Sequence, residues 1–228
     1  MPDGAIIFDM DDTLVRTASI WKAAEASLLQ WMGATWSAEL AATYKGMNAL
    51  DVARTIHQRL RSPLPLEQCQ QYLRNALIAG FASPVEPMPG AMELVQRLRQ
   101  RYPLAVASGS PPAAITAALN QLGTSDAFTQ IISSESVARG KPHPDVFLRA
   151  AEVLHTSPGQ CLVFEDSLIG CQAAIAAGMR CFVVPSASVD PLRPIATRIF
   201  ASLAQVTDAQ VCQAVQAGSA SQDRRPIS

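Results

Sequence analysis

Four apolar residues, Ala5-Ile6-Ile7-Phe8, run without interruption and stop at a cluster of acids, Asp9, Asp11 and Asp12. A short continuous apolar run predicts a strand buried on both faces, as in parallel sheets. After Val15 the period changes. Ile20, Ala24, Leu28 and Trp31 recur at helical spacing over 17–32, and 37–44, 50–61 and 66–81 read as three further helices. The stretch 16–84 is therefore all-helical, and Ser83-Pro84-Val85-Glu86-Pro87 marks its exit. From Met88 onward helix and strand patterns alternate. The reading is a helix from Pro89-Gly90 to Arg101, a strand at 104–107, and a helix from Pro111 to about Leu122 closed by Gly123. Then come a short strand at Ile131-Ile132, a helix at 145–154, a strand at 161–164, a helix at 168–177 closed by Gly178, and a strand at 180–184. A last helix is expected at 208–216, followed by a small polar, frayed tail over 218–228.

Strands separated by helices of this length imply right-handed crossovers and a parallel sheet covered on both faces. The fold class is α/β, a Rossmann-like parallel sheet core with helices on both faces and an inserted all-helical cap domain. The expected division is 1–15 and 85–228 for the core and 16–84 for the helical insertion. A chain of 228 residues is long for one domain and short for two full ones, which suits that division. All three tryptophans, Trp21, Trp31 and Trp36, fall inside the insertion.

Composition narrows the partners. Hydrophobic residues make up 49% of the chain, enough for a core, and 18 Lys+Arg against 19 Asp+Glu leave a net charge of −1. No clustered basic residues point to nucleic acid or a membrane surface. The five cysteines lack metal-site spacing, and Cys161, Cys171 and Cys181 read as core filler. A reduced, cytoplasmic setting is expected, as a monomer or small homo-oligomer. The chain enters its first strand at once, leaving no room for a signal peptide, and no apolar stretch is long enough to span a membrane.

The chemistry gathers where the strands end. In a parallel sheet all carboxyl ends lie on one edge, the usual place for a ligand. Asp9 and Asp11 follow the first strand, Ser108-Gly109-Ser110 the next, and Lys141 and then Glu165-Asp166 follow later ones. Asp9 and Asp11 are two residues apart and point to one side if the chain stays extended, and like charges that close need a cation or a proton between them. Asp9, Glu165 and Asp166 offer hard oxygens suited to Mg²⁺. Ser108 with the N–H groups of Gly109 and Ser110 makes an anion cradle, and Lys141 adds a point charge. Singly, each has a plainer reading: a turn, a loop, a solvated lysine, an acid at a helix start. Those readings leave the convergence unexplained. Phosphoryl transfer suits the set.

Four segments carry a resemblance. Phe8-Asp9-Met10-Asp11-Asp12-Thr13-Leu14-Val15, Ala107-Ser108-Gly109-Ser110, Gly140-Lys141-Pro142-His143-Pro144-Asp145 and Phe164-Glu165-Asp166-Ser167-Leu168-Ile169-Gly170 resemble, in order, the four motifs of the haloacid-dehalogenase-like superfamily. The branch is the one with a helical cap after the first strand, which includes sugar phosphatases and β-phosphoglucomutase. One departure is Asp12, where the family most often has Gly.

The resemblance implies a Mg²⁺-dependent phosphatase acting on a small phosphorylated metabolite, with sugar phosphates favoured. Asp9 would be the nucleophile that becomes an aspartyl-phosphate, and Asp11 the general acid and base. Asp9, the Asp11 carbonyl, Glu165 and Asp166 would hold the metal, and Ser108, Gly109 and Lys141 the phosphoryl group. In the cap, the family places a substrate-contacting segment at Lys45-Gly46-Met47-Asn48, so Gly46 and Asn48 are candidates, with Trp21 and Arg74 beside them. The main alternative is a phosphomutase, which needs a His in the first cap helix and an Arg after the cap-loop Gly. This chain has Trp21 and Ala49 near those places, which favours hydrolysis. A dehalogenase does without the second Asp, and a non-catalytic binding protein would not need the intact set.

Overall fold

The computed structural model describes residues 4–186 and 188–222. Along the chain run β1 (Ala5–Phe8), β2 (Val15–Arg16), and four helices, α1 (Ala18–Trp31), α2 (Ala38–Ala42), α3 (Ala49–Leu60) and α4 (Leu66–Gly80). Next come β3 (Glu86–Pro87), α5 (Ala91–Leu98), β4 (Leu104–Ser108), α6 (Pro112–Gln121), β5 (Gln130–Ser133) and α7 (Asp145–Val153). The chain closes with β6 (Cys161–Glu165), α8 (Leu168–Ala176), β7 (Arg180–Val183), β8 (Arg198–Ile199) and α9 (Asp208–Gln222).

Six strands form one parallel sheet in the order β5-β4-β1-β6-β7-β8. β1 sits at the switch point, since later strands are added on its β4 side and on its β6 side, and a crevice opens there at the carboxyl ends. All four β1 residues are buried, because the pleat sends Ile6 and Phe8 into one apolar layer and Ala5 and Ile7 into the other. The first layer contains Leu94, Leu98, Ile115 and Val211 from α5, α6 and α9. The second contains Phe147 and Ala150 of α7 and Cys171 and Ala174 of α8. Phe8 stacks on Phe164 at 4.8 Å, and Phe164 meets Phe182 edge-on at 5.7 Å, an aromatic ladder across three strands.

The helices α1–α4 bury a third apolar cluster of their own, with Leu28, Leu29, Tyr44, Val52, Ile56, Leu73 and Leu77 at its centre. Leu28 belongs there and not to the sheet; Trp31 is 41% exposed and stacks on Tyr72 at 4.9 Å. Ile20 touches both this cluster and the sheet layer. The chain enters and leaves the helical layer through one antiparallel ribbon, with Val15 opposite Pro87 and Arg16 opposite Glu86.

Four elements differ from the sequence reading. β2, β3 and β8 were not expected, because two residues are too few to show a period. α9 runs on to Gln222, past the expected end, since Val211 and Val215 anchor it to the sheet and propagation adds one bond per residue even across Gly218. The rest of the expected frayed tail, 223–228, lies outside the described residues. Four of the five cysteines are buried and all five are free thiols. Among the described residues no helix is long and apolar enough to cross a membrane.

Candidate active site at the carboxyl edge of the sheet

β1 delivers Asp9 into the crevice: its N–H still follows the ladder, donating to the Phe164 carbonyl at 2.9 Å, and its side chain is buried. The chain then turns tightly. The N–H groups of Thr13, Leu14 and Val15 all donate to the Met10 carbonyl at 3.3, 2.9 and 3.0 Å. This turn holds Asp12 in the left-handed region with φ 56°, a conformation glycine adopts freely and Asp tolerates. Asp12 Oδ1 also accepts from the N–H groups of Thr17 and Ala18 at 2.9 and 3.1 Å, so the departure from Gly supplies an acceptor for the start of α1.

Lys141 is buried and donates to three oxygens, Asp9 Oδ1 at 2.7 Å, Glu165 Oε1 at 2.7 Å and the Ala107 carbonyl at 3.2 Å. Burial alone would lower its pKa, but Asp9 and Glu165 outweigh that and push it up, so it stays an ammonium. The second oxygen of Glu165 accepts from Asp166 N–H, Ser167 N–H and Ser167 Oγ at 2.9, 3.0 and 3.0 Å. Carboxylate oxygens of Asp9, Glu165 and Asp166 lie within 4.8 Å of one another. Three carboxylates against one ammonium leave an excess negative charge, and burial together with this crowding drives Asp9 and Asp166 well above the ordinary carboxylate range. A divalent cation relieves that crowding, and hard oxygens at this spacing fit Mg²⁺. Glu165, expected as a metal ligand, has both oxygens engaged by Lys141 and by the 165–167 turn. Within this cluster Asp9 and Asp166 each keep an oxygen that no hydrogen bond engages among the described residues.

Asp11 is held by three donors, from β4, the loop after it and α1. Oδ2 accepts from Ser108 Oγ at 2.8 Å and Ser110 Oγ at 2.9 Å, and Oδ1 accepts from the indole N–H of Trp21 at 2.8 Å. These donors favour the carboxylate, yet desolvation outweighs them and its pKa is raised. Ser108 Oγ accepts in turn from the Ser110 N–H at 2.9 Å. The expected anion cradle at 108–110 is thus turned toward Asp11, and an anion bound there would exchange with these bonds.

A cavity of about 290 Å³ opens over the edge between sheet and helices. Asp9, Asp11, Gly109, Glu165 and Asp166 form its floor, and Trp21 and Gly46 of the expected cap residues line it. Gly46 has φ +88°, and a Cβ there would stand 2.8 Å from Ser167 Oγ, so the loop lies directly on the turn after β6. A Cβ on Gly140, next to Lys141, would collide with the Asn48 amide. The N–H of Ala49 donates to the Gly109 carbonyl at 3.3 Å.

Two of the expected cap residues stand away from the cavity lining. Asn48 does not line the cavity; it is buried as the cap of α3, with Oδ1 accepting from Asp51 N–H at 2.9 Å and its amide donating to Asp51 at 2.7 Å. Arg74 also stays outside, because it reaches across to Glu135 at the end of β5 and pairs with it at 3.0 Å. The sequence reading missed Glu25, Trp36 and Tyr44, which line the upper wall. Glu25 follows Trp21 by four residues on one helical face, a spacing that was available to find it. Its partners were not, since they come from the packing of separate segments.

The family model for haloacid dehalogenase-like hydrolases matches residues 4–178. The fructose-1-phosphate phosphatase YqaB of Escherichia coli K12 is 32% identical over 174 residues, 76% of this chain and 92% of that protein. Hexitol phosphatase B of Escherichia coli O157:H7 is 31% identical over 212 residues, 89% of this chain and 94% of the relative. Among solved structures, β-phosphoglucomutase from Clostridium difficile superposes with a TM-score of 0.84 at 22% identity, covering 95% of this chain and 99% of that one, a likeness of fold.

Proposed function

The chain belongs to the haloacid dehalogenase-like hydrolase family, and on that premise we propose that it is a Mg²⁺-dependent phosphatase of small phosphorylated metabolites, with sugar phosphates the favoured class. One observation carries the reading. Lys141 fixes one oxygen of Asp9 while the carboxylate faces a cavity that it shares with Asp11 and Asp166. Asp9 attacks phosphorus and the ester P–O bond breaks, with the leaving oxygen taking a proton from Asp11. Asp11 then removes a proton from water, which attacks the aspartyl-phosphate, frees inorganic phosphate and restores Asp9. Lys141 and the 108–110 loop hold the phosphoryl oxygens.

Asp9, Asp166 and the Asp11 carbonyl would hold Mg²⁺, with Glu165 supporting them through Lys141 and its own turn. When bound, the ion supplies charge neutralisation between carboxylates and phosphoryl oxygens. Residues 16–84 act as a cap that covers the site and carries specificity. The resemblance to sugar phosphatases (relatives named for a ketose phosphate and for hexitol phosphates) supports the substrate class. Trp21 supports hydrolysis over phosphomutation, because an indole N–H only donates and relays no proton.

The test is phosphate release from a panel of sugar, polyol and other small phosphate esters, with Mg²⁺ and with chelator. Turnover that needs the metal and falls to background in Asp9→Asn, with an unchanged circular dichroism spectrum, is expected. Near wild-type turnover by Asp9→Asn, or full activity without metal, would overturn it.

A further inference from the structure

The upper wall of the cavity holds a carboxylate that the phosphoryl chemistry does not use. Glu25 is 7% exposed, and Oε2 accepts both the Trp36 indole N–H at 2.8 Å and the Tyr44 hydroxyl at 3.2 Å. Among the described residues no donor reaches Oε1, although Glu25 lines the cavity that has Asp9 and Asp11 at its floor. An acid used only to tie Trp36 and Tyr44 together could do so with one oxygen of a neutral amide. The second oxygen of Glu25 opens on the cavity, where a bound group can donate to it.

Position along α1 says what that group is. Trp21 marks the level of Asp11, and Glu25 lies one turn higher on the same face, about 6 Å along the helix axis. A phosphate ester seated on Asp9 would carry its leaving group up past Trp21 toward Glu25. Indole walls on the way, Trp21 and Trp36, suit the C–H faces of a carbon chain. Resting on the phosphatase reading above, we infer that Glu25 is a specificity residue whose Oε1 accepts hydrogen bonds from hydroxyls of the leaving group, so that the site selects polyhydroxylated phosphate esters. A leaving group without hydroxyls would leave Oε1 without a partner, while Lys22 and Lys45 on the same cavity wall keep the acid from being the sole charge there.

Glu25→Gln tests this, because the amide oxygen still accepts from Trp36 and Tyr44 while an NH₂ donor replaces Oε1. The measurement is the ratio of kcat/KM for sorbitol 6-phosphate to that for p-nitrophenyl phosphate, which has no hydroxyl, in wild type and variant. The ratio should fall about 10–100-fold, mostly through KM, as expected for one or two hydrogen bonds to a charged acceptor. An unchanged ratio, including equal loss on both esters from a general defect, overturns the inference. Binding separates its failure from failure of the phosphatase reading. Sorbitol 6-phosphate is titrated calorimetrically into Asp9→Asn and Asp9→Asn/Glu25→Gln. If wild type releases phosphate from no ester, the hydrolase reading falls. The Glu25 assignment then stands on at least tenfold weaker binding to the double variant, and falls on equal or undetectable binding to both.

Discussion

The indole N–H of Trp21 donates to Oδ1 of Asp11 at 2.8 Å, so a residue of the first cap helix holds the carboxyl group proposed as acid and base. The contact makes the chemistry depend on closure of the helical layer. Expelling an alkoxide demands a general acid far more than expelling a phenolate, and such an acid is worth about 10²–10⁴-fold. Asp11→Asn should lose about that much in single-turnover phosphorylation by a polyol phosphate, and much less with an aryl phosphate. Trp21→Phe keeps the wall, removes the donor, and should lose about tenfold on the polyol ester. Equal losses on both esters would make Asp11 a structural residue.

Lys141 compensates two buried acids at once. Removing one member of a buried charge cluster leaves the others unpaired, at a cost of about 3–5 kcal/mol. Lys141→Met should therefore abolish turnover and also lower the unfolding free energy, read from urea titration, by that amount at pH 7 without added metal. A change below about 1 kcal/mol, on the same scale, would show that the cluster is already neutralised by protons.

Asp12 combines a left-handed backbone with an acceptor for two N–H groups of α1. Asp12→Ala loses both advantages and should destabilise by about 1–2 kcal/mol. Asp12→Gly should cost less, since glycine relaxes the backbone and forfeits only the acceptor. Denaturant titrations of the three proteins check the order, and an alanine variant as stable as wild type would refute it.

Burial raises the pKa of Glu25, against the opposing pull of Trp36, Tyr44 and the Lys45 ammonium. The folded protein then binds this proton more tightly than the unfolded chain does. The group's contribution is therefore fully present below the unfolded pKa of about 4.3 and is lost as pH rises through the folded value. Glu25→Gln carries no charge, so it should melt higher than wild type near pH 8, with the advantage shrinking toward pH 5. A difference in melting temperature that is constant with pH would contradict this.

The floor of the site was legible because each piece is local. An apolar run ending in Asp9, and a strand ending in Glu165-Asp166, announce both the strand and its edge. Even the turn at Asp12 could be read as a departure, though not its use as an acceptor for α1, which depends on where that helix starts. The upper wall was not legible. Glu25, Trp36 and Tyr44 are separated by 11 and 19 residues in their hydrogen-bonded pairs, and only the packing of α1 against α2 and its flanking loops brings them together. Arg74 misled for the same reason: a free cation in sequence, it finds Glu135 sixty-one residues away.

The ribbon of Val15–Arg16 with Glu86–Pro87 has a consequence for how such a molecule varies. Because the helical segment begins and ends on paired residues, its two ends lie only about 5 Å apart, the spacing of adjacent strands. The sheet therefore closes its own circuit without the segment, whose covalent attachments are two neighbouring points. Lengthening the segment between such paired ends adds little entropy cost. The covalent frame of the floor is consequently independent of how the chain between these two points is built.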